Sequence, residues 1–128
     1  ITEFDVWTDD EELQADYTRD FFILCLSHPS VVGIQVWGFW EKTHWRPNAA
    51  MYRNDWSEKP NGKVYRELVL NQWRTRLIGL TGEHGRYTAR GFHGDYVAII
   101  EATGKRIERT FTLASTPKAP PLAIDVRL

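Results

Sequence analysis

Ile1-Thr2-Glu3-Phe4-Asp5-Val6 decides how this chain is read. The two-residue period of an extended strand puts Ile1, Glu3 and Asp5 on one face and Thr2, Phe4 and Val6 on the other. The two carboxylates then share a face, roughly 6.5 to 7 Å apart along the strand. No Lys or Arg stands beside them in sequence to neutralise them, so the charge points to a task. A short edge strand with solvated acids is the plain alternative.

The stretches that follow favour the first reading. Thr8-Asp9-Asp10-Glu11 has the form of a capping box, with acids where a helix dipole favours them. The spacing predicts a helix over Asp9 to Ser27, with Leu13, Tyr17, Phe21 and Leu24 as its buried stripe and Asp16, Arg19 and Asp20 outward. His28-Pro29 ends it. Val31 to Trp37 is a nearly continuous apolar run, the pattern of a parallel strand covered on both faces. Strand, helix, strand makes a βαβ unit, and a βα barrel builds its site at the carboxyl ends of such strands.

Gly38 to Ser57 holds no persistent period, yet it carries Trp40, Trp45, Tyr52 and Trp56. Loops of this length in compact domains are usually functional. Ser57-Glu58-Lys59-Pro60 opens a second predicted helix, Lys59 to Trp73. Beyond Arg76, alternating runs at Arg86 to Phe92, Tyr96 to Ala102 and Arg106 to Leu113 predict a small antiparallel β unit. Its turns are Gly94-Asp95 and Thr103-Gly104. Ser115 to Pro121 reads as an extended Pro-rich linker and Leu122 to Leu128 as one more strand.

Composition narrows the function classes. With 128 residues, the chain is too short for a complete barrel of about 250. Lys and Arg number 16 against 17 Asp and Glu, which argues against nucleic acid or an anionic membrane as partner. The single cysteine, Cys25, sits among Phe22, Ile23, Leu24 and Leu26 as a buried thiol. No phosphate-binding Gly loop, CxxC or HExxH spacing is present, and no metal or cofactor is implied. The six Trp, five Tyr and six Phe suit flat, neutral ligands.

Ordered motifs now carry a resemblance. Ile-Thr-Glu-Phe-Asp at 1 to 5, Leu13-Gln14-Ala15-Asp16-Tyr17, Ser27-His28-Pro29, and Val36-Trp37-Gly38-Phe39-Trp40 with Trp45 resemble the last third of a glycoside hydrolase family 10 endo-β-1,4-xylanase. Gly85-Arg86-Tyr87-Thr88 and Gly91 to Tyr96 are similar to a small β module that follows the barrel in some members. The resemblance implies an α/β fold: the C-terminal two βα units of a TIM (β/α)8 barrel over residues 1–75, an antiparallel β module over 76–114, and a linker with a truncated strand over 115–128.

It also implies roles. Glu3 would be the nucleophile of a retaining displacement and Asp5 a supporting acid. Trp37 and Trp45 would wall the sugar at the point of cleavage, with Glu41, His44 and Arg46 beside them; at Glu41 the family often has Asp. The acid/base, a Glu on the fourth strand, would come from a missing N-terminal barrel half. The substrate would be xylan or a xylo-oligosaccharide, met outside the cell. Competing readings are a non-catalytic carbohydrate-binding or structural fragment, and an α/β domain unrelated to sugars whose Trp-rich loop is an interface.

Overall fold

Phe4 donates its N–H to the Gln35 carbonyl at 3.0 Å and accepts from Trp37 N–H at 3.0 Å, a parallel pairing between the two apolar segments. Gln35 N–H adds a bond to the Ile1 carbonyl at 2.9 Å. The direction is the one expected, but the pairing is a single bridge at Phe4 and Val36 rather than two full strands. The cover expected on both faces of Val31 to Trp37 is incomplete: Ile34 and Val36 pack against the core, but Val32 is fully exposed and Trp37 half-exposed. A parallel strand is stabilised by neighbours on its edges and layers on its faces. Among the described residues no third segment pairs with these two through a β-bridge.

The computed structural model describes residues 1–114 and 121–126. They divide into two units, Ile1–Arg74 and Thr75–Leu128.

In the first unit, helix α1 runs over Glu11–Ser27 and begins two residues later than the capping box predicts. Asp10 is the cap: its Oδ1 accepts from Glu12 N–H at 3.1 Å and Leu13 N–H at 2.9 Å. Thr8 Oγ1 accepts from Asp10 N–H instead. His28 closes the helix, as expected, by donating its N–H to the Cys25 carbonyl. The buried face is a correction. Gln14, Ala15, Thr18, Phe22 and Cys25 turn inward, whereas Leu13, Tyr17 and Leu24 are more than half exposed. Gln14 is buried because its amide is needed there: Nε2 donates to the Val6 carbonyl at 2.6 Å and to the Asn48 carbonyl at 2.8 Å. Thr18 Oγ1 donates to the Gln14 carbonyl at 2.8 Å, which lets its hydroxyl be buried too.

Helix α2 covers Pro60–Tyr65, capped at Lys59 with Pro60 in its first turn. It continues over Arg66–Gln72 in wider i to i+5 turns, so the predicted Lys59 to Trp73 helix is regular α only in its first half. The core of the unit is Phe4, Phe22 and Leu68, joined by Val36, Val64, Tyr65 and Trp73. Phe4 stacks on Phe21 at 4.7 Å and meets Phe22 edge-on at 5.4 Å.

The second unit contains one hairpin, β1 (Gly94–Ala102) against β2 (Lys105–Leu113), in register from Gly94 opposite Leu113 to Ala102 opposite Lys105. Thr103 and Gly104 have φ of 51° and 77°, the two left-handed positions of a tight hairpin turn whose twist matches that of the strands. Tyr96 and Phe111 face each other and stack at 5.3 Å. The strand expected at Arg86 to Phe92 does not form. A turn holds Gly82 to Arg86, with Gly85 at φ 67°. The Phe92 backbone is held by side chains in place of a ladder, Thr75 Oγ1 accepting its N–H and Tyr96 OH donating to its carbonyl. Residues 121–126 carry no regular structure, so the strand over Leu122 to Leu128 is not seen in its described part. The rest of it, and most of the predicted linker, lie outside the described residues.

Candidate active site

The loop from Gly38 to Ser57 folds back on itself. Phe39 O accepts from Met51 N–H at 3.0 Å and Tyr52 N–H at 2.8 Å, and Glu41 N–H donates to Tyr52 O at 2.9 Å. Trp56, at φ 68°, stacks on Trp40 at 4.6 Å. A left-handed bulky residue is strained, and the stack offsets that cost. The two rings pack the loop against itself, and the loop is then fastened to the start of α1. Arg53 reaches Glu11 at 2.5 Å, and the Asn48 and Asp9 side chains are hydrogen-bonded. Lys59, a residue only 2% exposed, donates its ammonium N–H to Asn48 O at 2.6 Å. Burial pushes Lys59 below the usual lysine range, with Glu11 and Glu41 opposing the shift.

This frame presents a cleft of about 250 Å³ lined by Glu3, Asp5, Trp37 and Trp45. Trp45 Nε1 donates to Asp5 Oδ2 at 3.0 Å, fixing the indole against the strand segment that carries both acids. Glu3 is exposed and makes no hydrogen bond among the described residues. Its carboxylate is open to an incoming group. Trp37 and Trp45 are 51% and 62% exposed, so each offers a ring face to a ligand.

The other expected residues, His44, Arg46 and Glu41, are not among those that line this cleft. His44 is buried, and its Nδ1 accepts from Arg46 N–H at 3.0 Å. Burial lowers its pKa, with the Asp5 charge opposing. A neutral imidazole also keeps the Nδ1 lone pair that the Arg46 bond requires. Gly38 makes room for it, since a Cβ there would lie 2.7 Å from His44 Cδ2. Arg46 packs its guanidinium 4.2 Å from the Trp7 ring centre and 4.3 Å from that of Trp45. Glu41 is engaged by the loop, its Oε2 accepting from Asn54 N–H at 3.0 Å.

Trp7, Gln14 and Lys59 belong to the site's construction and escape the sequence reading. Trp7 leaves a trace, an aromatic residue just past the acid-bearing strand. A glutamine on a helix and a lysine before a proline carry no comparable signal.

Comparison with known proteins follows from residues 1–68, which match the family model for glycosyl hydrolase family 10. The chain is 42% identical over 106 residues to the anti-sigma-I factor RsgI6 of Acetivibrio thermocellus, covering 82% of this chain and 14% of that protein. It is 29% identical over 126 residues to endo-1,4-beta-xylanase 3 of Arabidopsis thaliana, covering 98% and 17%. With endo-1,4-beta-xylanase B of Thermotoga neapolitana the identity is 33% over 70 residues, covering 49% and 20%. The chain thus spans a fifth or less of the length of these curated relatives.

Proposed function

The chain belongs to glycosyl hydrolase family 10, and from that premise we propose that it is the C-terminal part of a retaining endo-β-1,4-xylanase. On this reading residues 1–75 supply the last two βα units of a TIM barrel, and 76–114 a small antiparallel β module that follows it. Glu3 attacks the anomeric carbon of a xylose unit to form a glycosyl ester, which water then hydrolyses. Asp5 is a positioning group that holds Trp45, and Trp37 and Trp45 stack on the sugar. The substrate is a polymer, so the reaction takes place outside the cell.

A retaining displacement needs a second carboxyl about 5 to 5.5 Å from the nucleophile, on the other side of the glycosidic bond. Asp5 is two residues from Glu3 on the same strand segment, so it points the same way and cannot fill that role. Membership of the family implies that a Glu on the fourth barrel strand plays that part, and it would come from a segment outside these 128 residues. The observation that carries the proposal is the cleft itself, which gathers Glu3, Asp5, Trp37 and Trp45 within the family match.

The test is release of reducing sugar from xylan by this chain alone and by the chain joined to the upstream barrel half of a related enzyme. Activity of the joined form alone, removed by Glu3→Gln, is the expected result. Activity of the short chain alone would overturn the assignment of the acid/base.

A second reading is favoured by one relative. The protein with 42% identity bears the name of an anti-sigma-I factor rather than of a hydrolase. The chain would then be a non-catalytic carbohydrate-binding or structural fragment, with Glu3 idle. Binding of xylo-oligosaccharide by the joined form without any turnover would select this reading.

A further inference from the structure

The geometry points to Arg46 as the recognition site for an acidic side group on the sugar chain, a uronic acid carried by an otherwise neutral β-1,4-linked backbone. This rests on the sugar-binding reading of the cleft and specifies its ligand.

Arg19, Arg53 and Arg66 of the same unit are each engaged by carboxylates. The Arg46 side chain has no ion pair or hydrogen bond among the described residues; only its backbone N–H is used, toward His44. It is held instead by two indoles, Trp7 at 4.2 Å and Trp45 at 4.3 Å from the guanidinium carbon. Cation–π packing fixes a guanidinium through its charge and leaves its N–H groups unused. Five donors in a planar fork remain, the arrangement that pairs bidentately with a carboxylate.

Charge elsewhere in the site says where the acid must sit. Glu3 and Asp5 line the cleft and repel an anionic sugar from its floor. A neutral sugar therefore occupies the space by Trp37 and Trp45. The carboxylate projects to the far side of Trp45, toward Arg46 and Trp7. Trp7 is 62% exposed, so its ring is also open to the side group.

The experiment is calorimetric titration of the chain with xylotetraose and with xylotetraose bearing one glucuronic acid side group. The acidic ligand should bind about tenfold tighter, the size of one good charge-assisted contact. The ratio of the two affinities should fall to about one in Arg46→Met, and to an intermediate value of roughly threefold in Arg46→Lys, which keeps the charge and loses the fork. Trp7→Ala should lower the ratio as well. If Arg46→Met loses its thermal transition, Arg46→Lys decides the point, and a ratio equal to that of the unsubstituted chain would sink the assignment. Equal binding of the two ligands by the unsubstituted chain overturns this inference and leaves the sugar reading standing. Failure of both ligands to bind overturns the sugar reading and this inference together. Tighter binding of a galacturonate tetramer than of the acidic xylotetraose overturns the side-group assignment, since the acid would then belong to the backbone.

Discussion

Trp45 and Asp5, forty residues apart, meet in a 3.0 Å hydrogen bond from the indole N–H to the carboxylate. The bond makes the wall of the cleft depend on its floor. Trp45→Phe keeps a ring and removes the donor, so it should cost roughly 0.5 to 1.5 kcal/mol of ligand binding. Asp5→Asn retains an acceptor and should cost less than Asp5→Ala. Titration with xylotetraose orders the three variants, and a harmless Asp5→Ala would show that the bond does not position the ring.

Glu3→Gln changes an exposed side chain without hydrogen-bonded partners. The stability of the chain should change by no more than about 0.5 kcal/mol, as for surface changes generally, which is a shift of about 2 to 4 °C at most in the melting temperature. In the form joined to an upstream barrel half, xylan hydrolysis should fall by about a thousandfold or more, because an amide cannot form the glycosyl ester. Retention of a tenth of the activity would remove Glu3 from the nucleophile's role.

His44 is held below the ordinary imidazole value, mainly by burial. As pH falls through the unfolded value of about 6.5, the unfolded chain takes up a proton that the folded chain refuses. Stability from this group is therefore full above that value and declines as pH falls toward the lowered folded pKa. The thermal midpoint should drop between pH 7 and pH 5, and His44→Gln should flatten that slope. All six Trp lie between residues 7 and 73, so Trp fluorescence follows this unit alone.

Gly38→Ala places a methyl 2.7 Å from His44 Cδ2. The imidazole is buried and bonded to Arg46 N–H, so it has little room to give. A loss of about 1 to 3 kcal/mol is expected from overpacking, read as a lower denaturation midpoint with an unchanged slope. The double variant Gly38→Ala with His44→Ala should recover part of it.

Thr103 occupies a left-handed turn position at φ 51°, where a β-branched residue is disfavoured. Thr103→Asn should stabilise the hairpin by a few tenths to about 1 kcal/mol. Slower amide exchange at Ile100 and Ile107 would report it, and faster exchange would count against the turn geometry.

Parts of this structure were legible from residues alone because one physical cause dominated them. Acids at Asp9 to Glu11 mark a helix start, and Thr103-Gly104 between alternating runs marks a hairpin. Phe4 pairs with Val36 as the apolar pattern suggests. The inward face of α1 was not legible. Hydrophobicity selects Leu13, Tyr17 and Leu24, but the carbonyls of Val6 and Asn48 need a donor, and that need draws Gln14 inward. A pattern of apolar residues cannot display a polar requirement set by segments far away in sequence. Arg86 to Phe92 alternates like a strand, yet two side chains of its own unit, Thr75 and Tyr96, claim the Phe92 backbone first. Glu3, Asp5, Trp37 and Trp45 were singled out as one site through the family resemblance rather than by any local pattern, and the structure brings the four to one cleft. The Trp7 contact to Arg46 was not legible, since it joins residues thirty-nine positions apart that no local spacing relates.

The bonds from Asp9, Glu11 and Gln14 to Asn48 and Arg53 bear on portability. A transplant of the aromatic loop into another scaffold would leave those anchors behind if it were cut at Gly38 and Lys59. The loop would then arrive with its rings but without its bearing. The smallest transferable piece therefore includes the first turn of α1, and a homologue that alters Asp9, Glu11 or Gln14 should reorient Trp45 with every residue of its own loop unchanged.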